Sequence, residues 1–168
     1  MNSNLISRKN IRLKDYDYTK AGYYFVTICT KDRKKILANI VGGGFHAAPL
    51  IDLYPIGKEI IKSIEFIEKQ NKNIYVDKYT IMPNHMHMIV VIDNAEPGGH
   101  GNPPLHKIVG TMKSFVNRRY NEIHNTNNLI LWQRGYFERI IRNEEEYMKT
   151  WEYIDTNHYK WENDKYYL

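Results

Sequence analysis

The chain has 168 residues, 42% of them hydrophobic and 26% charged, which suits a globular chain with one modest core. A net charge of +5 favours a polyanionic partner. The lone cysteine, Cys29, excludes an internal disulfide framework and a cysteine-rich zinc site. No signal peptide or membrane-length apolar run is present, so the expectation is one cytoplasmic domain over 1–168 with no membrane partner. Tyrosine is abundant, 14 against five Phe and three Trp, and its amphipathic ring suits half-wet surfaces that can stack on bases.

In chain order, residues 1–20 form a basic arm carrying Arg8, Lys9, Arg12 and Lys14. It reads either as an ordered edge or as a flexible arm lying along phosphate. Gly22 to Thr30 is aromatic and β-branched, a strand. Residues 41–49, with three glycines and a proline, read as a surface loop. A helix begins near Pro55, with Ile56, Ile60, Ile61, Ile64 and Ile67 as its buried face. Ile74 to Met82 and His85 to Ile92 are strands joined by Pro83-Asn84, hence an antiparallel hairpin.

Residues 94–104 are loop by composition. A second helix follows, whose apolar face is Leu105, Ile108, Val109, Met112, Phe115 and Val116, with Lys113, Arg118 and Arg119 elsewhere on it. Leu131 to Ile141 reads as a fourth strand. Asn143 then caps a third helix that opens Glu144-Glu145-Glu146, favourable at the positive end of the helix dipole. The first six elements give the α+β, ferredoxin-like split βαβ pattern, an antiparallel sheet with helices on one face, plus an additional C-terminal helix.

Two constellations carry chemistry. In a strand, residues two apart share a face, so His85 and His87 project together with Ile89 and Val91, opposite Met86, Met88 and Val90. Such a pair is either two satisfied strand histidines or two ligands of one ion that needs a third from elsewhere. On the last helix, Tyr147, Met148, Trp151 and Ile154 cluster on one side at helical spacing. Tyr153 falls about 140° and Asn157 about 100° from their centre, four residues apart on a common face. Tyr153 is therefore either a solvated surface residue or a group placed to act, depending on whether this helix crosses the histidine strand. A phenol with an ordinary pKa near 10 is a reasonable nucleophile for reversible strand transfer, because its phosphodiester retains the energy of the broken bond.

At these residues the sequence resembles the IS200-like, single-tyrosine HUH transposases, and looks closest to the branch associated with repetitive extragenic palindromes (REP). The matching pieces are the run at 8–18, Gly-Tyr-Tyr-Phe-Val-Thr-Ile-Cys-Thr at 22–30, Met-Pro-Asn-His-Met-His at 82–87, Leu-Trp-Gln-Arg-Gly-Tyr-Phe at 131–137 and Tyr-Ile-Asp-Thr-Asn at 153–157. The resemblance implies His85, His87 and Asn157 as ligands of Mg²⁺ or Mn²⁺ and Tyr153 as the nucleophile that forms a 5′-phosphotyrosine. It also implies a homodimer and a single-stranded substrate that contains a DNA hairpin.

Lys113, Arg118, Arg119 and Arg134 are then expected phosphate contacts, with the basic arm. The family usually places proline after this asparagine, whereas here His158 follows, so the helix end is expected to differ and His158 is a substitute ligand candidate. Tyr120, after Arg118-Arg119, is a rival nucleophile that lacks the asparagine found four residues after Tyr153. A different class of protein, a hairpin-DNA binder that has lost the chemistry, would keep the same basic arm and helix.

Overall fold

Two apolar strands side by side set the architecture of the computed structural model, which describes residues 20–42, 48–93 and 103–167. The arm with Arg8, Lys9, Arg12 and Lys14 lies outside the described residues, as do the middles of both glycine-rich loops. Strand β1 (Gly22–Cys29) pairs antiparallel with β5 (His85–Ile92), Gly22 opposite Ile92 and Cys29 opposite His85. Strand β4 (Ile74–Ile81) flanks β5 and β6 (Phe137–Ile141) flanks β1, so the sheet order is β4-β5-β1-β6, antiparallel throughout. Helices α1 (Pro55–Gln70) and α2 (Leu105–Ile123) make the two crossovers. This is the expected ferredoxin-like arrangement.

Every residue of β5 is buried because both faces of the sheet are covered. Met86, Met88, Val90 and Ile92 join Tyr24, Val26 and Ile28 in the main core beneath α1 and α2, packed on Ile60, Ile64, Val109 and Met112. The opposite parity of β5 contributes Ile89 and Val91 to a smaller cluster with Phe25, Ile141 and Ile154. Ile154 belongs to α3 (Glu144–Thr156), capped by the Asn143 side chain on the Glu146 amide at 2.8 Å as expected. The histidines share the α3 side of the sheet, where the strand's period of two places them.

Four expectations change. The stretch 131–141 is not one strand: only 137–141 pairs along β1, while Trp132 makes an isolated bridge to Thr30. The Lys113 ammonium donates to the carbonyls of Gln133 (2.7 Å) and Gly135 (3.1 Å), holding the intervening chain off the ladder. Two short strands not expected from sequence, β2 (Ala38–Val41) and β3 (Leu50–Leu53), pair antiparallel on either side of the glycine-rich stretch; partly exposed, they carry little pattern. Ile61 and Phe115 lie at the core edge, the latter stacked on exposed Phe66.

The buried stripe of α3 also differs, because Met148 is exposed while Thr150, Ile154 and Asn157 face inward. At about 100° per residue this centre lies nearer Tyr153, which is roughly 70° from it.

Gly57, in the first turn of α1, lies where a Cβ would come 2.2 Å from the Leu37 carbonyl oxygen. That carbonyl also accepts the Tyr54 amide at the helix start, so neither side can yield cheaply. We expect Gly57→Ala to destabilise by about 3 kcal/mol in urea unfolding, the upper end of overpacking costs. Gly110→Ala on α2, where a Cβ meets nothing within 4 Å, should stabilise by about 0.5–1 kcal/mol. Equal effects of the two would refute the packing assignment.

Candidate active site

Strand β5 opens on His85 and His87, each fully buried. A buried imidazole must have its ring nitrogens partnered, and on both rings Nδ1 is held by a neighbour. His87 Nδ1 lies 2.8 Å from the Thr27 hydroxyl, directly across the β1 pairing. His85 Nδ1 lies 2.9 Å from Asn84 Oδ1. The Asn84 amide nitrogen donates to the carbonyls of Tyr166 (2.8 Å) and Arg33 (3.3 Å), which leaves its oxygen as the acceptor. His85 therefore carries its proton on Nδ1 and turns an unprotonated Nε2 inward. The two Nε2 atoms sit 3.1 Å apart.

Burial lowers the pKa of both rings. For His85 the neighbouring Arg33 and Lys165 lower it further and Asp164 opposes them, whereas for His87 the further lowering comes from His85 and Lys165. Both are neutral near pH 7 and offer lone pairs rather than charge.

Helix α3 brings Tyr153 to this pair, and four contacts fix its pose. A bulge in β4 between Val76 and Lys78 re-aims that strand. Asp77 there accepts the Tyr147 hydroxyl at 2.7 Å, and Lys78 pairs with Asp155 and lies over the Trp151 ring. From β6, Arg139 donates to Thr150 at 2.9 Å. With α3 so placed, the Tyr153 hydroxyl reaches His87 Nε2 at 3.1 Å within the same chain, and its ring packs edge-on against Phe25. The pKa of the phenol is pushed up to about 12, first by burial and then by the Asp164 and Tyr166 charges, while the Asn157 amide opposes the rise.

Beyond α3 the chain continues through a 3₁₀ turn over Asn157–Asn163, with no proline to end it. Asn157 is buried, its Nδ2 donates to Asp164 at 2.9 Å, and its Oδ1 has no hydrogen-bond partner. Residues 164–166 then fold back over the histidines. Asp164 has a carboxylate oxygen in a cluster with the His85 and His87 nitrogens, all within 4.8 Å of one another. The Tyr166 ring lies 4.5 Å from that of His85.

The residues present fit a divalent cation. The buried, unpartnered Asn157 amide oxygen needs a positive partner, its own Nδ2 is bonded to Asp164, and two converging imidazole nitrogens and an Asp164 oxygen lie within 4.8 Å of one another. A 3.1 Å separation of the two nitrogens is close to that of adjacent ligands about 2.1 Å from an octahedral ion.

The other sequence candidates sit elsewhere. Tyr120 packs against the main core, on the opposite face of the sheet. His158 stacks on Tyr159 and is outside the histidine cluster. Arg119 pairs with Glu59 and Glu122. Arg118, Arg134 and Lys113 line a cleft of about 1010 Å³ at the end of α2. A second groove of about 690 Å³ lies against Tyr153 itself, lined by Phe25 and Phe137 and edged by Arg139, Lys149, Lys160 and Lys165. Asp164 and Thr27 were not anticipated from sequence: nothing periodic marks the segment after α3, and Thr27 gains its partner only through the strand register. Asn84, next in sequence to His85, could have been suspected from adjacency.

A ferredoxin-like sheet with a two-histidine centre beside a helix tyrosine defines the class of this α+β protein. The chain belongs to the IS200-like transposase family, matching the family described as Transposase IS200 like over residues 18–157. It is 31% identical to an uncharacterised protein of Haemophilus influenzae, over 99% of this chain and 97% of that one. Its fold is similar to a REP-associated tyrosine transposase solved with a REP hairpin, with a TM-score of 0.59 at 18% identity, covering 87% of this chain and 72% of the other. No described helix is long and apolar enough to cross a membrane.

The lowered histidine pKa values have a measurable sign. Above about 6.5, the ordinary histidine value, folded and unfolded chains bind the same protons at these sites. Below it the unfolded chain takes up protons that the buried pair resists, so stability falls. With a chelator present, Tm should drop between pH 7 and pH 5, and the drop should be smaller in His87→Gln. An unchanged pH profile in that variant would rule out the buried neutral pair as its source.

Proposed function

We propose that this chain cleaves and rejoins single-stranded DNA through a covalent tyrosine intermediate, with Tyr153 as nucleophile serving the histidines of its own chain. The observation that carries the reading is the 3.1 Å contact between the Tyr153 hydroxyl and His87 Nε2. Membership of a transposase family supports it. So does a fold shared with a protein solved on hairpin DNA, and a hairpin next to the cleaved strand is the substrate we propose. The REP-associated branch remains our assignment for this chain.

His85, His87 and Asn157 would hold the cation, Mg²⁺ or Mn²⁺. When bound, such an ion supplies positive charge that eases phenol ionisation and neutralises a phosphate oxygen. Thr27 and Asn84 orient the imidazoles through Nδ1, keeping each Nε2 turned inward. Phe25 and the hydrogen bond to His87 hold the phenol in place.

The Tyr153 oxygen forms a bond to phosphorus while the bond to the 3′ oxygen breaks. The phenolic proton balances the 3′ hydroxyl that leaves, and the product is a 5′-phosphotyrosine. Attack by that or another 3′ hydroxyl returns the proton to Tyr153 and reseals the strand. The raised pKa of Tyr153 means that cleavage should speed up as pH rises towards it.

The strand would lie in the groove beside Tyr153, its phosphates along Arg139, Lys160 and Lys165 and a base against Phe137. A homodimer is proposed from the family resemblance, and the chemistry needs no exchange of α3 between its subunits.

Incubation with labelled hairpin-bearing single strands and Mn²⁺ should give a covalent adduct, reduced at least about a thousandfold in Tyr153→Phe, which lacks the attacking oxygen, and lost in His85→Ala. Tight binding without adduct in either metal would instead identify a hairpin binder devoid of chemistry. Separately, replacing Lys160 and Lys165 together with alanine should flatten the slope of log affinity against log salt by about 1.4. An unchanged slope would place the strand elsewhere.

A further inference from the structure

The segment after α3 brings a carboxylate to the histidines that the family match, ending at residue 157, does not include. The geometry points to Asp164 as a further ligand of the cation, one that biases the site towards hard ions. This inference rests on the reading above that a divalent cation is held there.

Three observations carry it. First, Asp164 has a carboxylate oxygen within 4.8 Å of the His85 and His87 ligand nitrogens, closer than independent side chains need to come. Second, among the described residues it forms no ion pair with Lys or Arg, so its charge lies against two neutral rings. Third, it accepts the Asn157 amide nitrogen at 2.9 Å, which leaves the opposite amide atom, Oδ1, buried and unpartnered. A single residue thus fixes the neighbouring ligand and offers one of its own. Its other contact, from the Tyr166 amide at 2.6 Å, still leaves lone pairs, since a carboxylate has about four acceptor positions.

Adding a carboxylate changes the chemistry of the donor set. Two imidazoles alone favour zinc and other later transition metals. With amide and carboxylate oxygens added, the set becomes half oxygen and carries one negative charge, which favours Mg²⁺ and Mn²⁺. The ligand also arrives on a segment docked at the histidines by its own contacts: the Tyr166 carbonyl accepting from Asn84, the Lys165 carbonyl accepting from Arg33 and the Tyr166 ring over His85. Cation binding and docking of residues 164–166 should therefore reinforce each other.

The test uses the full chain and Mn²⁺ alone, with free ion counted by electron paramagnetic resonance. Asp164→Asn removes the charge and keeps one of the two acceptor oxygens that now serve the Asn157 amide and the Tyr166 backbone. It should weaken Mn²⁺ binding by about tenfold or more and Zn²⁺ binding by less. In the unaltered protein, difference infrared spectra should show a carboxylate stretch that shifts as Mn²⁺ binds, which covers the case of a variant that does not fold. Mn²⁺ affinity within twofold of wild type in folded Asp164→Asn, or no carboxylate shift, would overturn the assignment. Should wild type take up no more Mn²⁺ than a His85→Ala/His87→Ala double variant, the cation reading itself has failed, and this inference with it.

Discussion

A polar pair has to be satisfied in the middle of an apolar protein, and most of the structure around it answers that demand. Strand β5 is buried on both faces, so His85 and His87 cannot turn to water. Their Nδ1 atoms take the nearest polar neighbours, one across the strand pairing and one at the preceding residue. That settles the rings in a single pose and leaves both Nε2 atoms converging on one point. Whatever covers the sheet there must provide polar groups, and the last helix and the segment beyond it do so.

The helix that covers this face is seated by polar contacts to two different strands, β4 and β6, and its aim is more closely constrained than its small apolar cluster could achieve alone. Ion pairs at such partly exposed positions contribute little stability. Their value here is directional. Tyr147 to Asp77 and Lys78 to Asp155 anchor one side of α3 at the β4 bulge, and Thr150 to Arg139 anchors it at β6. The phenol of Tyr153 comes to rest at the edge of the buried stripe, 38% exposed, with its oxygen at the histidines and an open groove beside its ring. Full burial would have closed the hydroxyl off from that groove, and full exposure would have left it in water.

What the sequence discloses follows the regularity of its patterns. The split βαβ order, the three helices and the common face of His85 and His87 come from periods of two and 3.6 that tertiary packing only reinforces. The reading fails where packing is polar. Thr150 and Asn157 face inward, Met148 outward, and a hydropathy wheel therefore turned α3 away from its true contact. It also fails where chain is diverted by side-chain hydrogen bonds, as Lys113 diverts residues 133–135. Thr27 and Asp164 acquire their partners through strand register and a non-repeating turn, for which the linear order carries no signature.

The groups gathered at His85 and His87 come from widely separated parts of the chain: Thr27, Asn84, Tyr153, Asn157 and Asp164. During translation the sheet strands emerge from the ribosome well before the turn that closes over them. A nascent polypeptide that has exposed β5 but not residues 157–166 presents two bare imidazoles with neither the amide nor the carboxylate beside them. The centre thus has a built-in order of assembly: scaffold strands first, and the roof over them only once residues 157–166 have followed.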